Sequence, residues 1–293
     1  MTIGSNAHTA PFYILGAGIC WGLIGLFSRH LAALGYSPVQ ITFGRAMVTA
    51  IVMVLWMAQR HRADLCIAKR DIWMFLGTGL CSIVFFNICY FTAISLTTLS
   101  MAAILLYTAP SIVMIFSVIL FKERFTPRKA CCLVLAFIGC ALVSGIGSGA
   151  INVLGILAGL GSGLGYALYS IFGRYALRKY TPFTVTTWTF IIASMGLLGF
   201  CHVDIMAETA VLHPLAVVWL ILLGLISTTV PFVLYTQGLQ HMDAGKASII
   251  ASIEPLTSTV IGVAVFQETL TLIGGIGILC IISAVVLLNQ GKS

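Results

Sequence analysis

The sequence predicts an all-α membrane protein: ten transmembrane helices in two inverted five-helix repeats. Three observations predict it. First, 60% of the 293 residues are hydrophobic and only 8% are charged, against about 25% charged in a soluble domain. Mean hydropathy is +1.09, and the apolar runs are continuous, unlike the ten-residue alternation of an outer-membrane barrel. Second, the chain repeats itself. F-K-E-R-F-T at Phe121–Thr126 returns as F-Q-E-T-L-T at Phe266–Thr271, an offset of 145 positions. The same offset joins Pro110 to Pro255, Tyr90 to Tyr235, Ser82 to Ser227, Gly79 to Gly224, Arg29 to Arg174 and Phe27 to Phe172. Third, the basic residues gather on alternate connections.

Each apolar run is long enough to cross a bilayer, which takes about 20 residues. The first helix is expected near 11–33. No Lys or Arg precedes it in Met1–Ala10 and no small-residue cleavage site follows, so it reads as a retained helix, not a removable signal. Ser37-Pro38 starts the second, 38–58, after a short turn. The longest polar connection, Gln59–Asp71, leads to the third at 72–96, and the fourth spans 99–121. Thr126-Pro127 reads as an N-cap followed by a first-turn proline, opening the fifth at 128–147. Gly145–Gly149 separates the copies. The sixth spans 152–176, and Thr181-Pro182 opens the seventh at 183–202. The last three are expected near 215–239, 246–266 and 271–289. Each copy then holds five helices. Five is odd, so the second copy enters from the opposite side.

Ten spans place both termini and the even-to-odd connections on one side. That side carries thirteen of the fifteen basic residues: Arg60, Arg62, Lys69, Arg70, Lys122, Arg124, Arg128, Lys129, Arg174, Arg178, Lys179, Lys246 and Lys292. The other side has Arg29, and Arg45 lies within a span. Thirteen against one is a positive-inside pattern that predicts cytoplasmic termini. It also accounts for the net charge of +7 and argues against nucleic acid as a partner.

Most of the nine cysteines, such as Cys81, Cys89, Cys140 and Cys280, fall inside apolar runs without zinc-site spacing. They read as small apolar fillers. The histidines (His8, His30, His61, His202, His213, His241) fall at expected termini or loops, so no intramembrane metal site is expected. No G-x-x-x-x-G-K-[ST], H-E-x-x-H or G-x-S-x-G is present, which leaves no catalytic motif and no cofactor site.

Two patterns carry a family resemblance: Y-T-A-P-S-I-V with F-K-E-R-F-T over Tyr107–Thr126, and S-I-E-P-L with F-Q-E-T-L-T over Ser252–Thr271. The chain resembles the drug/metabolite transporter superfamily in its ten-helix form with two EamA-type repeats, expected at 1–148 and 149–293. Within that superfamily it is most similar to the YddG-type aromatic amino acid exporters. The resemblance implies an inner-membrane secondary transporter, not an enzyme. It implies export of small metabolites, foremost amino acids, by alternating access. A multidrug or nucleotide-sugar carrier is the alternative within the superfamily; a channel or membrane-embedded enzyme is the alternative outside it. Expected partners are the solute and membrane lipid. With both halves in one chain, a monomer is sufficient.

Several residues are candidates for the work. Arg45 and Glu254 are the charges expected well inside spans, where ionisable groups face a cavity or a partner. Glu254 lies about 16 Å from its helix start at 1.5 Å per residue. It is either a coupling carboxylate or amine ligand, or a structural carboxyl. Arg45 is either a carbonyl-capping or snorkelling arginine, or a carboxylate clamp. Pro110 and Pro255 each remove a mid-helix donor, giving a hinge or a static kink. Trp21, Asn87, Tyr90, Tyr107, Tyr166, Tyr169, Tyr235 and Ser252 are candidate cavity residues, with an interfacial belt or helix packing as the alternative. Gly155, Gly159 and Gly163 form a packing stripe, and Gly274, Gly275 and Gly277 a second cluster. Glu123 and Glu268 are expected as structural groups at helix ends, with Thr126 and Thr271 capping the next helix.

Overall fold

A computed structural model describes residues 3–145 and 152–289. It contains helices and, among the described residues, no strand. Among the described residues, ten helices are long and apolar enough to cross a membrane: α1 (His8–Ala33), α2 (Pro38–Arg60), α3 (Lys69–Leu96), α4 (Leu99–Phe121), α5 (Pro127–Ser144), α6 (Val153–Ala176), α7 (Pro182–Phe200), α8 (Pro214–His241), α9 (Ala244–Phe266) and α10 (Leu272–Asn289). Large apolar side chains such as Ile51, Leu55, Ile119, Leu272 and Leu279 stand exposed on the bundle exterior, as a lipid-facing surface requires.

Helix starts follow local chemistry. Ser37 Oγ accepts from the Gln40 amide at 3.3 Å, and Gln40 Oε1 accepts from the Ser37 amide at 2.8 Å, a reciprocal capping box. Thr126 and Thr181 cap α5 and α7 through the amides of Lys129 and Thr184. Thr271 Oγ1 accepts from the Gly274 amide at 3.0 Å. The repeated motif has a physical meaning at its start too. Lys122 and Gln267 both take φ 55°, the left-handed conformation that ends a helix. The next residue then turns its amide back. Glu123 N donates to Ser117 O at 3.2 Å and Glu268 N to Gly262 O at 3.0 Å. Each motif therefore ends one helix, frees a glutamate side chain and caps the next helix.

Mates in the repeat pack on each other: α2 on α7, and α5 on α10. This marks the pseudo-two-fold axis between the copies. Elsewhere the contacts exchange partners. α1 packs on α8 and α9, as α6 packs on α3 and α4. α3 and α8 each contain a widened π-helical stretch, Gly77–Val84 and Leu225–Thr229. Thr228 and Thr229 hydroxyls take up carbonyls five residues back in the second of these.

Two faces are tied separately. On the face carrying most of the basic residues, Lys179 Nζ meets Asp71 Oδ1 at 2.7 Å and Tyr180 OH donates to Asp71 Oδ2 at 2.9 Å. On the opposite face, Arg29 pairs with Glu268, and Gln40 donates to His202 O. Asp71 is 4% exposed and holds two donors from the turn after α6. Asp71→Ala is therefore expected to lower the thermal midpoint in detergent, with Asp71→Asn falling between it and wild type.

Three expectations need correction. A helix, Val203–Leu212, lies between α7 and α8 where a loop was expected. Its exposed Val203, Ile205, Val211 and Leu212 suit an interfacial position. His8 and His30 lie within α1, and His241 is the last residue of α8. His30 stacks on Trp219 at 4.5 Å. Of the Gly274, Gly275 and Gly277 cluster only Gly277 closely approaches another helix, at Gly139 of α5; a Cβ at Gly274 would meet Leu270 and Thr271, and one at Gly275 nothing within 4 Å. The stripe on α6 does pack closely: Gly155, Gly159 and Gly163 face Thr97, Leu105 and Thr108. Most of the expected 145–149 separator, and the 148/149 copy boundary, lie outside the described residues.

Candidate functional site

Two helices break at matching points. α4 stops at Leu106 and resumes at Ala109; α9 stops at Ala251 and resumes at Glu254. Pro110 and Pro255 are each the second residue of the resumed half. A proline there lacks the donor that would continue the ladder across the break. Each break is backed by a glycine of the other copy. A Cβ at Gly163 would lie 2.6 Å from Thr108 Oγ1, and one at its mate Gly18 would lie 2.4 Å from Ile253 Cγ2. The breaks are thus shaped from behind by backbone.

Between the breaks lies a small cleft. Tyr107 and Pro110 enter it from α4, Tyr166 from α6, and Ser248, Ser252 and Glu254 from α9. Leu106, Ala109 and Ala251 complete the wall. Glu254 is half-buried, with no side-chain hydrogen bond or ion pair among the described residues. Arg45 on α2 is buried and likewise unpartnered. The two charges interact at a distance without forming a salt bridge. Leaving either charge in a low-dielectric interior without a hydrogen-bonding partner is costly. A site that keeps two of opposite sign apart is prepared for something between them.

Tyr90, Tyr107, Tyr166 and Cys140 also lie within electrostatic reach of Glu254. An aromatic wall continues outward from these. Tyr90 stacks on Phe86 at 5.8 Å, Phe86 meets the edge of Tyr166 at 6.0 Å, and Tyr166 meets Trp21 at 6.2 Å.

Three expected cavity residues stand behind this wall. Tyr169 OH bonds Thr236 Oγ1 at 3.0 Å, and Tyr235 OH bonds Ser170 Oγ at 2.7 Å. Asn87 donates to Ile83 O at 2.7 Å and accepts from Thr42 Oγ1 at 3.2 Å. Their polar groups are consumed by helix packing, so they do not line this cleft. Pro255 is buried beside it. Ser248 and the small apolar liners carry no chemical signal in sequence, apart from the four-residue spacing of Ser248 and Ser252.

Glu123 forms a second constellation at the basic face. Its carboxylate accepts from the amides of Ala244 and Gly245 at 3.0 and 3.4 Å, and lies 3.6 Å from Arg174. Burial raises the Glu123 pKa above the ordinary carboxylate value, and Asp243 adds to this. The Ala244 amide, Arg174 and the Gly245 amide oppose it.

A bundle of ten apolar helices in two related halves, with a cleft holding a carboxylate where two helices break, has the architecture of a membrane carrier. The chain belongs to the EamA-like transporter family, whose model matches residues 8–145 and again 153–290. It is 33% identical over 270 residues to an uncharacterized transporter of Archaeoglobus fulgidus, covering 91% of this chain and 92% of the relative. It is 24% identical over 258 residues to the uncharacterized transporter YxxF of Bacillus subtilis, covering 86% and 80%. A crystal structure at 18% identity shares the fold, with a TM-score of 0.76 over 96% of this chain and 98% of that one. The protein is a multi-pass transporter of small molecules in the drug/metabolite transporter superfamily.

Proposed function

We propose that the protein is an amino acid exporter of the cytoplasmic membrane, working by alternating access. The observation that carries this reading is a separated, unpartnered pair of charges: Glu254 in the cleft wall and Arg45 within electrostatic reach of it. An α-carboxylate suits a planar guanidinium, and an α-ammonium suits a carboxylate. A zwitterion satisfies both charges at once. The wall of Tyr90, Tyr107, Tyr166 and Trp21 then receives an aromatic or neutral side chain. The presence of a single nearby arginine speaks against a nucleotide sugar.

The copies, 1–148 and 149–293, rock about the cleft, with the breaks before Pro110 and Pro255 as hinges. In this reading both termini are cytoplasmic, which the excess of basic residues on one side's connections in the sequence supports. Glu254 also carries the coupling proton when the ammonium leaves.

The test is counterflow in proteoliposomes over the amino acids, with and without a pH gradient. Saturable counterflow of aromatic or neutral amino acids, accelerated by the gradient, is expected. Uptake that never saturates would indicate a channel. A rate indifferent to the gradient would remove the proton from Glu254.

A further inference from the structure

The two glutamates of the repeated motif stand in different states. Glu123 holds the first amides of α9, Ala244 and Gly245. Around it, Arg174 donates to Met242 O, and Lys129 Nζ meets Asp243 Oδ2 at 3.0 Å. The Glu123 and Lys129 side chains are 4% and 6% exposed. The second half of α4 packs on the first half of α9 here, with Met114 against Gly245. A carboxylate at a helix start meets amides that have no partner within the helix and the favourable end of its dipole.

Shifting each residue by one repeat gives the opposite face. Glu123 becomes Glu268, Arg174 becomes Arg29, and Ala244 and Gly245 become Leu99 and Ser100. Half of the mate arrangement is built. Arg29 Nη1 lies 2.6 Å from Glu268 Oε1. Arg29 also sits 4.4 Å over Phe266, as Arg174 sits 5.6 Å over its mate Phe121. The other half is missing. Among the described residues, Glu268 accepts no bond from Leu99 or Ser100, and its carboxylate folds back over Gly262 of its own helix. Arg29 and Glu268 are 52% and 49% exposed. The second half of α9 and the first half of α4 make no packing comparable to that of their mates. A cleft lined by Gly22, Arg29, Ser258 and Gly262 opens beside them.

We infer that Glu268 and Arg29 are the second of two alternating clamps. Glu268 takes the amides of Leu99 and Ser100 when Glu123 releases those of Ala244 and Gly245, and only one clamp is closed at a time. The inference rests on the alternating-access reading above. The clamps differ in strength. Lys129 and Asp243 have Gly274 and Thr98 as mates, so the opposite-face clamp has no counterpart of that ion pair. The basic face is therefore the one closed at rest, and Lys129 sets that bias.

The mates of Met114 and Gly245 are Thr259 and Ser100. Cysteines at 100 and 259, in a chain stripped of its nine native cysteines, report closure of the opposite face by a short thiol cross-linker in proteoliposomes. Cross-linking is expected to be minor in this background. It should rise at least about fivefold on Lys129→Met and return to baseline when Glu268→Gln is added, while Glu268→Asp keeps most of the rise. Yields that ignore Lys129→Met, or that rise equally with Glu268→Gln present, overturn the clamp. Only variants that elute as monodisperse protein are scored. Glu123→Gln, which weakens the same clamp by another route, replaces Lys129→Met if that variant does not fold. The cross-link responds without added solute. A clamp that switches in a protein showing no amino acid counterflow overturns the substrate assignment alone; counterflow with an unresponsive cross-link overturns the clamp alone.

Discussion

Glu254→Gln is expected to weaken transport and to stabilise the protein at the same time. A hydrogen bond to a charged group contributes about 1.5–3 kcal/mol. Losing the one to a substrate ammonium raises the dissociation constant roughly 10- to 100-fold. Meanwhile, above the pH at which the empty site takes up its proton, the variant removes a charge that has no hydrogen bond and no salt bridge in the folded chain. Burying such a charge costs more than its distant attraction to Arg45 returns. A gain of 1 kcal/mol raises the thermal midpoint by about 2–4 °C in a chain of this size. A structural carboxyl behaves in the opposite way, since its removal leaves stranded donors and lowers the midpoint. Parallel binding and melting measurements therefore separate the two roles, and a fall in both would defeat the substrate assignment. Arg45→Lys completes the test. It keeps the charge and loses the planar fork, so affinity for the carboxylate is expected to drop about tenfold. Full transport by that variant would sink the clamp on the carboxylate.

The second large effect is expected from Gly18→Val and Gly163→Val. In each case the first added carbon lies within 2.4–2.6 Å of an atom in the opposing break. Behind that atom stand the carbonyls of Ala251 at 3.2 Å, or of Leu105 and Leu106 at 3.1 and 3.3 Å. A flexible side chain could yield, but backbone at a break is what shapes the cleft. Overpacking of this kind costs about 1–3 kcal/mol. Both variants should melt lower and lose substrate binding together. Gly275→Ala, where an added carbon meets nothing within 4 Å, should melt and transport as wild type. Normal transport by Gly163→Val would mean that the break in α4 does not define the site.

Much of this architecture was legible because a bilayer simplifies the reading. Every span needs a long apolar run, and every turn is marked by proline, glycine or a capping hydroxyl. Ser37, Thr126, Thr181 and Thr271 did the marking and do the capping. The short helix Val203–Leu212 escaped because ten residues are too few for a span and its apolar content resembles the ends of its neighbours. The site was legible in part. Glu254, Arg45, Tyr107 and Tyr166 announce themselves as polar groups at depth. Tyr169 and Tyr235 announce themselves equally, yet their hydroxyls are spent on Thr236 and Ser170. Helical spacing identifies a shared face but not which neighbour that face meets. The role of Glu123 was hidden for the same reason: its partners are backbone amides 121 and 122 positions away.

The partner exchange of α1 has a consequence for biosynthesis. α1 leaves the ribosome well before α8 and α9, yet these are its neighbours, and the carbonyl of Gly22 receives the Ser258 hydroxyl from 236 positions away. Until the last third of the chain is made, Gly18, Trp21 and Gly22 wait in lipid without the surfaces that fit them. The nascent protein is thus vulnerable at α1 until α8 and α9 have been made. Co-translational quality control should recognise α1, and a chain truncated before α8 should be degraded even though its first copy is complete.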